Sequence, residues 1–117
     1  MSFIKQGVTQ LVKNTIADNR VVVFSKTWCP FSQKAKKFLN DSNIPYHPIE
    51  IDLRQDGADI QQALFDLTGQ KTVPNIFIDK THIGGYVDLR KAFQSKKFLD
   101  ATLLEEIRSS SNTSSSL

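Results

Sequence analysis

The segment VVVFSKTWCPFSQKAKKFL, residues 21–39, decides the fold because it joins a buried strand to a helix across a Cys-Pro dipeptide. It opens with a continuous run of apolar, mostly β-branched residues, which is typical of a strand covered on both faces in a parallel sheet. From Pro30 onward the apolar residues recur at helical spacing. Proline suits the first position of a helix, where its missing amide costs nothing. The segment therefore predicts a strand, a loop and a helix that is capped by Cys29.

The elements around this segment follow from the same periodicities. A strand over residues 46–53 contains Pro48, which cannot donate to a sheet ladder, so we expect this strand at an edge. We expect Gly69 to end a helix and Asp79-Lys80 to form a hairpin turn. Apolar spacing predicts helices over residues 3–18 and around residues 60–67, 89–93 and 98–107, and hairpin strands at 76–78 and 81–83. The order predicts an α/β fold, a mixed four-stranded sheet with about five flanking helices.

Length and composition bound the possible functions. The 117 residues predict one domain over residues 1–108, followed by a disordered serine-rich tail over residues 109–117. The net charge of +3 and scattered arginines do not indicate a nucleic-acid partner, and no apolar run approaches the roughly 20 residues of a membrane span. The absence of a secretory signal favours a cytoplasmic protein, while an organellar protein whose transit peptide has been removed stays open.

Cys29 is the only cysteine, so an internal disulfide is impossible and a secreted disulfide scaffold is excluded. At the N-terminal end of a helix, amides and the helix dipole favour its thiolate over its thiol. Lys26 adds positive charge from the preceding loop, and we interpret both residues as catalytic. The alternative, an inert buried cysteine, is disfavoured by the Cys-Pro pair at a strand-to-helix junction. A run of lysines follows in the helix, comprising Lys34, Lys36 and Lys37. We interpret this run as a solvated helix face, as a positive collar around the thiolate, or as both.

Three motifs occur in one order along the chain: Trp28-Cys29-Pro30-Phe31-Ser32, Thr72-Val73-Pro74 and the segment His82 to Leu89 with its Gly84-Gly85 pair. Their sequence and spacing resemble the glutaredoxin family, from about residue 4 to residue 107. The resemblance implies a thioredoxin-like fold and a cis peptide bond at Val73-Pro74. It also implies glutathione as co-substrate, no metal, and a monomer acting on glutathionylated protein thiols.

The resemblance further implies where glutathione binds. The backbone of Val73 would pair with its cysteinyl unit, and Lys26 and Gln61 would hold its glycine carboxylate. The amides of Val87 and Asp88 would hold the γ-glutamyl carboxylate, and Asp88 would also meet the ammonium group. The remaining glutathione contacts implied by the family are Phe31, Thr72, Pro74 and Gly85.

Three residues depart from the family pattern. Ser32 stands where a second, resolving cysteine is usual, and it is either native or an introduced Cys→Ser change. Val87 replaces a polar side chain, and Tyr86 replaces a smaller residue and is expected to form a wall of the groove. A single cysteine suffices to remove glutathione from protein thiols by a monothiol mechanism, which is the function we predict.

Two alternatives stay open from the sequence. Single-cysteine relatives can share a [2Fe–2S] cluster between two protomers with two glutathiones, although Pro30 argues against it. In the second alternative, the domain is a redox module cut from a larger fusion, and the serine-rich tail is a linker. His47 and His82 are interpreted as surface residues, and no metal site is predicted from them.

Overall fold

The computed structural model describes residues 2–95, with side chains from residue 6 onward. This part of the chain contains four α-helices, four strands and one 3-10 helix, and the last two strands follow each other directly. The helices are α1 (Ser2–Asp18), α2 (Pro30–Asp41), α3 (Gly57–Thr68) and α4 (Tyr86–Ser95). The strands are β1 (Val21–Ser25), β2 (His47–Glu50), β3 (Asn75–Ile78) and β4 (Thr81–Gly84). The predicted fifth helix and the serine-rich tail lie outside the described residues.

The four strands form one mixed sheet in the order β2-β1-β3-β4. β1 pairs with β2 in parallel and with β3 antiparallel, and β3 pairs with β4 antiparallel. The edge position predicted for the strand with Pro48 is therefore confirmed. The hairpin turn is also confirmed, because Asp79 and Lys80 both have positive φ angles, 51° and 68°, as a tight two-residue turn requires.

The sheet separates two hydrophobic cores. Its strand β1 is buried along its whole length and contributes side chains to both of them. On one face Val21 and Val23 pack with Ala35 and Leu39 of α2 and Leu89 of α4. On the other face the alternate residues of β1 pack with α1 and α3 through a second cluster, which comprises Val8, Val12, Val22, Phe24, Ile51, Ile60, Ala63, Leu64 and Phe77. Both faces are covered by helices, so the continuous apolar run of β1 is explained.

The second strand is shorter than the sequence predicts. β2 ends at Glu50, and a 3-10 helix, Ile51–Leu53, turns the chain away from the sheet edge. Gly57 then lets α3 start directly against this turn, since a Cβ there would lie 2.2 Å from the carbonyl oxygen of Ile51. Gly69 ends α3 with a left-handed φ of 79°, as predicted.

None of the helices within residues 2–95 combines the length and the apolar character needed to cross a lipid bilayer.

Candidate functional site

Cys29 lies at the junction between β1 and α2, as predicted. It is the N-cap of α2 with extended backbone angles, Pro30 occupies the first turn, and the amide of Gln33 donates to the carbonyl of Cys29 at 3.1 Å. The residue is buried to 9% exposure, and its Sγ lies 3.7 Å from the carbonyl oxygen of Val73. The thiol is therefore held between the helix end and the segment before β3.

The surroundings of Cys29 favour its thiolate. Burial raises the pKa of the Cys29 thiol, but the amide and hydroxyl of Ser32, the amide of Phe31 and the charge of Lys26 outweigh it, so the pKa is lowered overall. These donors belong to the first turn of α2, where backbone amides have no helical partner. At a given pH the site thus presents a larger thiolate fraction, and so a more nucleophilic sulfur, than an unperturbed cysteine.

Ser32 is fully buried beneath this turn. Its hydroxyl accepts the amide of Lys26 at 3.4 Å and also lowers the pKa of Cys29 by hydrogen bonding. The position at which the family usually has a second cysteine therefore contributes a hydrogen-bond donor to the thiolate, a role that the sequence does not indicate.

The loop before Cys29 is anchored by side chains that sequence reasoning missed. Asp52 accepts the amide of Thr27 at 3.0 Å and also its hydroxyl. These two hydrogen bonds lower the pKa of Asp52, so it is ionised at neutral pH. Gln33 donates its side-chain amide to the carbonyl of Thr27. No local pattern could have revealed these contacts, because Thr27 and Asp52 are 25 residues apart.

The lysine run of α2 is only partly a positive collar. Lys36 forms an ion pair with Glu50, and Lys37 forms one with Asp41. Lys34 lies over the ring of Phe31, with Nζ 5.2 Å from its centroid. The lysine charge that lowers the pKa of Cys29 is that of Lys26, in the preceding loop, so the structure gives no support to a positive collar formed by the lysine run.

The segment before β3 is the second part of the site. The peptide bond Val73-Pro74 is cis, as the resemblance implies. Gln70 fixes the segment by donating its side-chain amide to the carbonyls of Thr72 and Pro74, both at 3.0 Å. Gln61 of α3 donates to the carbonyl of Lys71 at 2.8 Å, so the structure brings this predicted ligand residue to the same segment. Gln70 was not singled out from the sequence.

A surface pocket of about 440 Å³ lies on this flank. It is lined by Gln61 and Lys71 together with Ala58, Gln62 and Phe65.

The third part of the site is the start of α4. Asp88 accepts the amide of Gly85 at 3.0 Å, and the first helical bond runs from the amide of Leu89 to the carbonyl of Gly85. The amides of Val87 and Asp88 therefore lie in the first turn, an arrangement that suits an anion. Gly84 makes room for this cap, since a Cβ there would lie 2.5 Å from the Asp88 carboxylate.

Exposed aromatic residues flank the thiol. Trp28 is 67% exposed and Phe31 is 53% exposed. The ammonium group of Lys26 lies 5.6 Å from the Trp28 ring centroid, and the ring of Tyr86 lies 6.3 Å from that of Phe31. Tyr86 thus stands beside the first turn of α2.

The two histidines do not meet at the site. His47 is exposed on the edge strand β2. His82 of β4 contacts Asn75 through Nε2 at 2.8 Å, beside the ring of Phe77.

Comparison with known proteins agrees with these features. The sequence model of the Glutaredoxin family matches residues 21–83. Monothiol glutaredoxin-S6 of Oryza sativa subsp. japonica is 44% identical over 81 residues, covering 69% of this chain and 62% of that protein. Human mitochondrial glutaredoxin-2 is 43% identical over 88 residues, covering 75% of this chain and 54% of that protein. The chain thus spans between half and two thirds of the length of these curated relatives.

Solved structures give the same answer for the fold. The buckwheat glutaredoxin–glutathione complex is similar with a TM-score of 0.83 and 34% identity, covering 92% of this chain and 96% of that one. Wheat glutaredoxin is similar with a TM-score of 0.77 and 40% identity, covering 86% and 92%. The family match extends over more than half of the 117 residues, and the fold is thioredoxin-like. This chain belongs to the glutaredoxin family.

Proposed function

We propose that this chain is a glutathione-dependent thiol–disulfide oxidoreductase that reduces protein–glutathione mixed disulfides through Cys29 alone. The observation that carries the proposal is the placement of the only cysteine at the N-terminal end of α2, with a lowered thiol pKa. A similar glutaredoxin has a structure in complex with glutathione, which supports glutathione as the co-substrate. The family match supports the reaction class.

The reaction needs one protein sulfur. The Cys29 thiolate attacks the glutathione sulfur of the mixed disulfide, the original S–S bond breaks, and the substrate thiolate leaves and takes a proton from water. Glutathione is now bound to Cys29 by a new disulfide. A second glutathione thiolate attacks the glutathione sulfur of this adduct, which releases glutathione disulfide and restores the Cys29 thiolate. The net change is a reduced substrate thiol and oxidised glutathione.

Glutathione is inferred to lie along Val73 as an added strand. Lys26 and Gln61 attract its glycine carboxylate at one end. At the other end, the first-turn amides of Val87 and Asp88 suit its γ-glutamyl carboxylate. Asp88 holds a negative charge beside the ammonium group. This placement directs glutathione's own sulfur, rather than the substrate's, toward Cys29.

The remaining contacts, by Phe31, Thr72, Pro74 and Gly85, close the groove around the ligand. A single protomer completes this cycle, so we propose a monomer with glutathione and glutathionylated proteins as its partners.

The deciding experiment is glutathione-dependent reduction of a glutathionylated peptide by the wild type and by Cys29→Ser. We expect turnover that rises with glutathione concentration in the wild type and is abolished in the variant. Circular dichroism of both proteins checks that they are folded. A folded wild type with a free thiol and no turnover would overturn the proposal, and Cys29-dependent visible absorbance after anaerobic purification would then favour the cluster-carrier alternative.

A further inference from the structure

Four side chains form a continuous rim beside the first turn of α2 that the proposed glutathione chemistry does not fully use. Phe31 and Tyr86 face each other with ring centroids 6.3 Å apart. Lys34 Nζ lies 5.2 Å from the Phe31 ring, and the Arg90 guanidinium lies 5.9 Å from the Tyr86 ring. We call Phe31, Lys34, Tyr86 and Arg90 the aromatic–basic ridge.

Arg90 is the most ordered cation of the ridge. One of its nitrogens donates to the Tyr86 hydroxyl at 2.9 Å, and its guanidinium also lies 5.3 Å from the ring of Phe38. These contacts fix its side chain before any partner arrives, so Arg90 itself loses less side-chain entropy when a partner's carboxylate binds it. The guanidinium has five N–H donors, and its bond to Tyr86 uses only one of them.

The ridge carries positive charge that neighbouring acids do not neutralise. Lys36 and Lys37, on the same helix as Lys34, form ion pairs with Glu50 and Asp41. Lys34 and Arg90 have no such ion pair with any carboxylate in the part of the chain that the structure describes. Their charge is therefore available to a partner.

The ridge also exposes apolar surface. Phe31 is 53% exposed, and Val87, next to Tyr86 in the chain, is 55% exposed. Tyrosine, arginine and phenylalanine are enriched at protein interfaces, where aromatic anchors and a charged rim occur together. An exposed phenylalanine beside a partly buried tyrosine, bordered by two cations without an ion pair among the described residues, has the composition of a docking surface for an apolar and acidic segment.

We propose that the aromatic–basic ridge docks the protein side of the mixed disulfide and selects substrates with an apolar and an acidic residue within a few positions of the glutathionylated cysteine. The inference rests on the proposed function. Phe31 is two residues beyond Cys29, so a polypeptide whose cysteine reaches the thiol passes within reach of the ridge. Opposite charge on the partner raises the rate of productive encounter, and like charge lowers it.

The experiment compares three disulfides of glutathione. Two are peptides of equal length with a leucine beside the glutathionylated cysteine, one carrying two glutamates after it and the other two lysines. The third is the mixed disulfide with 2-mercaptoethanol, which has no flanking chain. We expect the wild type to prefer the acidic peptide over the basic one by on the order of tenfold in kcat/KM at low salt, and less at high salt.

The variant Lys34→Gln/Arg90→Gln tests the ridge. In this variant we expect the ratio of kcat/KM for the acidic peptide to kcat/KM for the basic peptide to fall close to one. Turnover of the mixed disulfide with 2-mercaptoethanol reports on the thiol chemistry itself. Lys13→Gln/Lys91→Gln removes the same charge from other exposed positions and serves as the matched control.

Equal kcat/KM for both peptides in the wild type, or an equal loss of preference in the control variant, would overturn the ridge proposal alone. No Cys29-dependent turnover of any of the three disulfides would overturn the proposed function, and the ridge proposal with it.

Discussion

The ammonium group of Lys36 lies 2.7 Å from the carboxylate of Glu50, which also accepts the hydroxyl of Ser25. The two charged side chains are only 19% and 22% exposed. Since Ser25 ends β1, Glu50 ends β2 and Lys36 belongs to α2, this one carboxylate connects three elements directly beneath the loop that leads to Cys29.

We expect Glu50→Ala to lower the free energy of unfolding by about 1–3 kcal/mol, because it leaves a half-buried ammonium group and a buried hydroxyl without their acceptor. Urea unfolding followed by circular dichroism measures the change. Asp41→Ala is the matched control, since it breaks the exposed Lys37–Asp41 pair, which should contribute less than about 0.5 kcal/mol. Similar losses in both variants would contradict the connecting role of Glu50.

Gly57→Ala is expected to destabilise the fold by about 1–3 kcal/mol or more, because the new methyl group would lie 2.2 Å from the carbonyl oxygen of Ile51, which belongs to the backbone. Gly7→Ala provides the opposite case. A Cβ at Gly7 meets nothing within 4 Å, and alanine is the better helix former, so we expect a gain of about 0.5–1 kcal/mol. The same urea titration compares the two, and a neutral Gly57→Ala would contradict the close approach of α3 to the 3-10 helix.

Ser32→Ala is expected to raise the pKa of Cys29 by removing the hydroxyl that bonds its sulfur. Because a lowered pKa keeps the thiolate present below the usual thiol range, the wild type should react with iodoacetamide at lower pH than the variant. The rate of alkylation as a function of pH gives both midpoints. At pH 6 we expect the variant to react several-fold more slowly. Ser42→Ala, at the other end of α2, should leave the midpoint unchanged, and an unchanged midpoint in Ser32→Ala would exclude the hydrogen bond.

His82 should make stability pH-dependent. Burial lowers the pKa of His82, and the charge of Asp88 partly opposes this effect. The unfolded chain therefore binds the proton more readily, so the contribution of His82 to stability is complete above the ordinary value of 6.5 and is lost as the pH falls through the lower folded pKa. Between pH 7.5 and pH 5, the free energy of unfolding measured by urea titration should fall less in His82→Gln than in the wild type. Parallel losses in both proteins would contradict the lowered pKa.

Short-range signals account for what the sequence predicts well. The Cys29-Pro30 pair specifies a helix start through the geometry of proline, and Pro48 specifies an edge through its missing amide. Both act within a few residues, and both predictions are confirmed. The predicted length of β2 was wrong because the turn at residues 51–53 depends on how α3 packs against it, which no local pattern encodes.

Long-range contacts account for what the sequence does not reveal. Lys36 differs from its neighbours in the same helix because Glu50, 14 residues away in the chain, forms an ion pair with it. The hydrogen bond between Asp52 and Thr27 joins residues 25 positions apart, and it forms because the 3-10 helix places Asp52 beside Thr27. The ridge arises in the same way, since Tyr86 and Phe31 meet only after the sheet brings α2 and α4 together.

The single cysteine has a consequence for how this protein stores redox state. With Ser32 beside it, Cys29 can form a disulfide only with a sulfur from another molecule. Every disulfide form of this chain is therefore a mixed disulfide with a second molecule, and its lifetime depends on how much free thiol the surroundings supply.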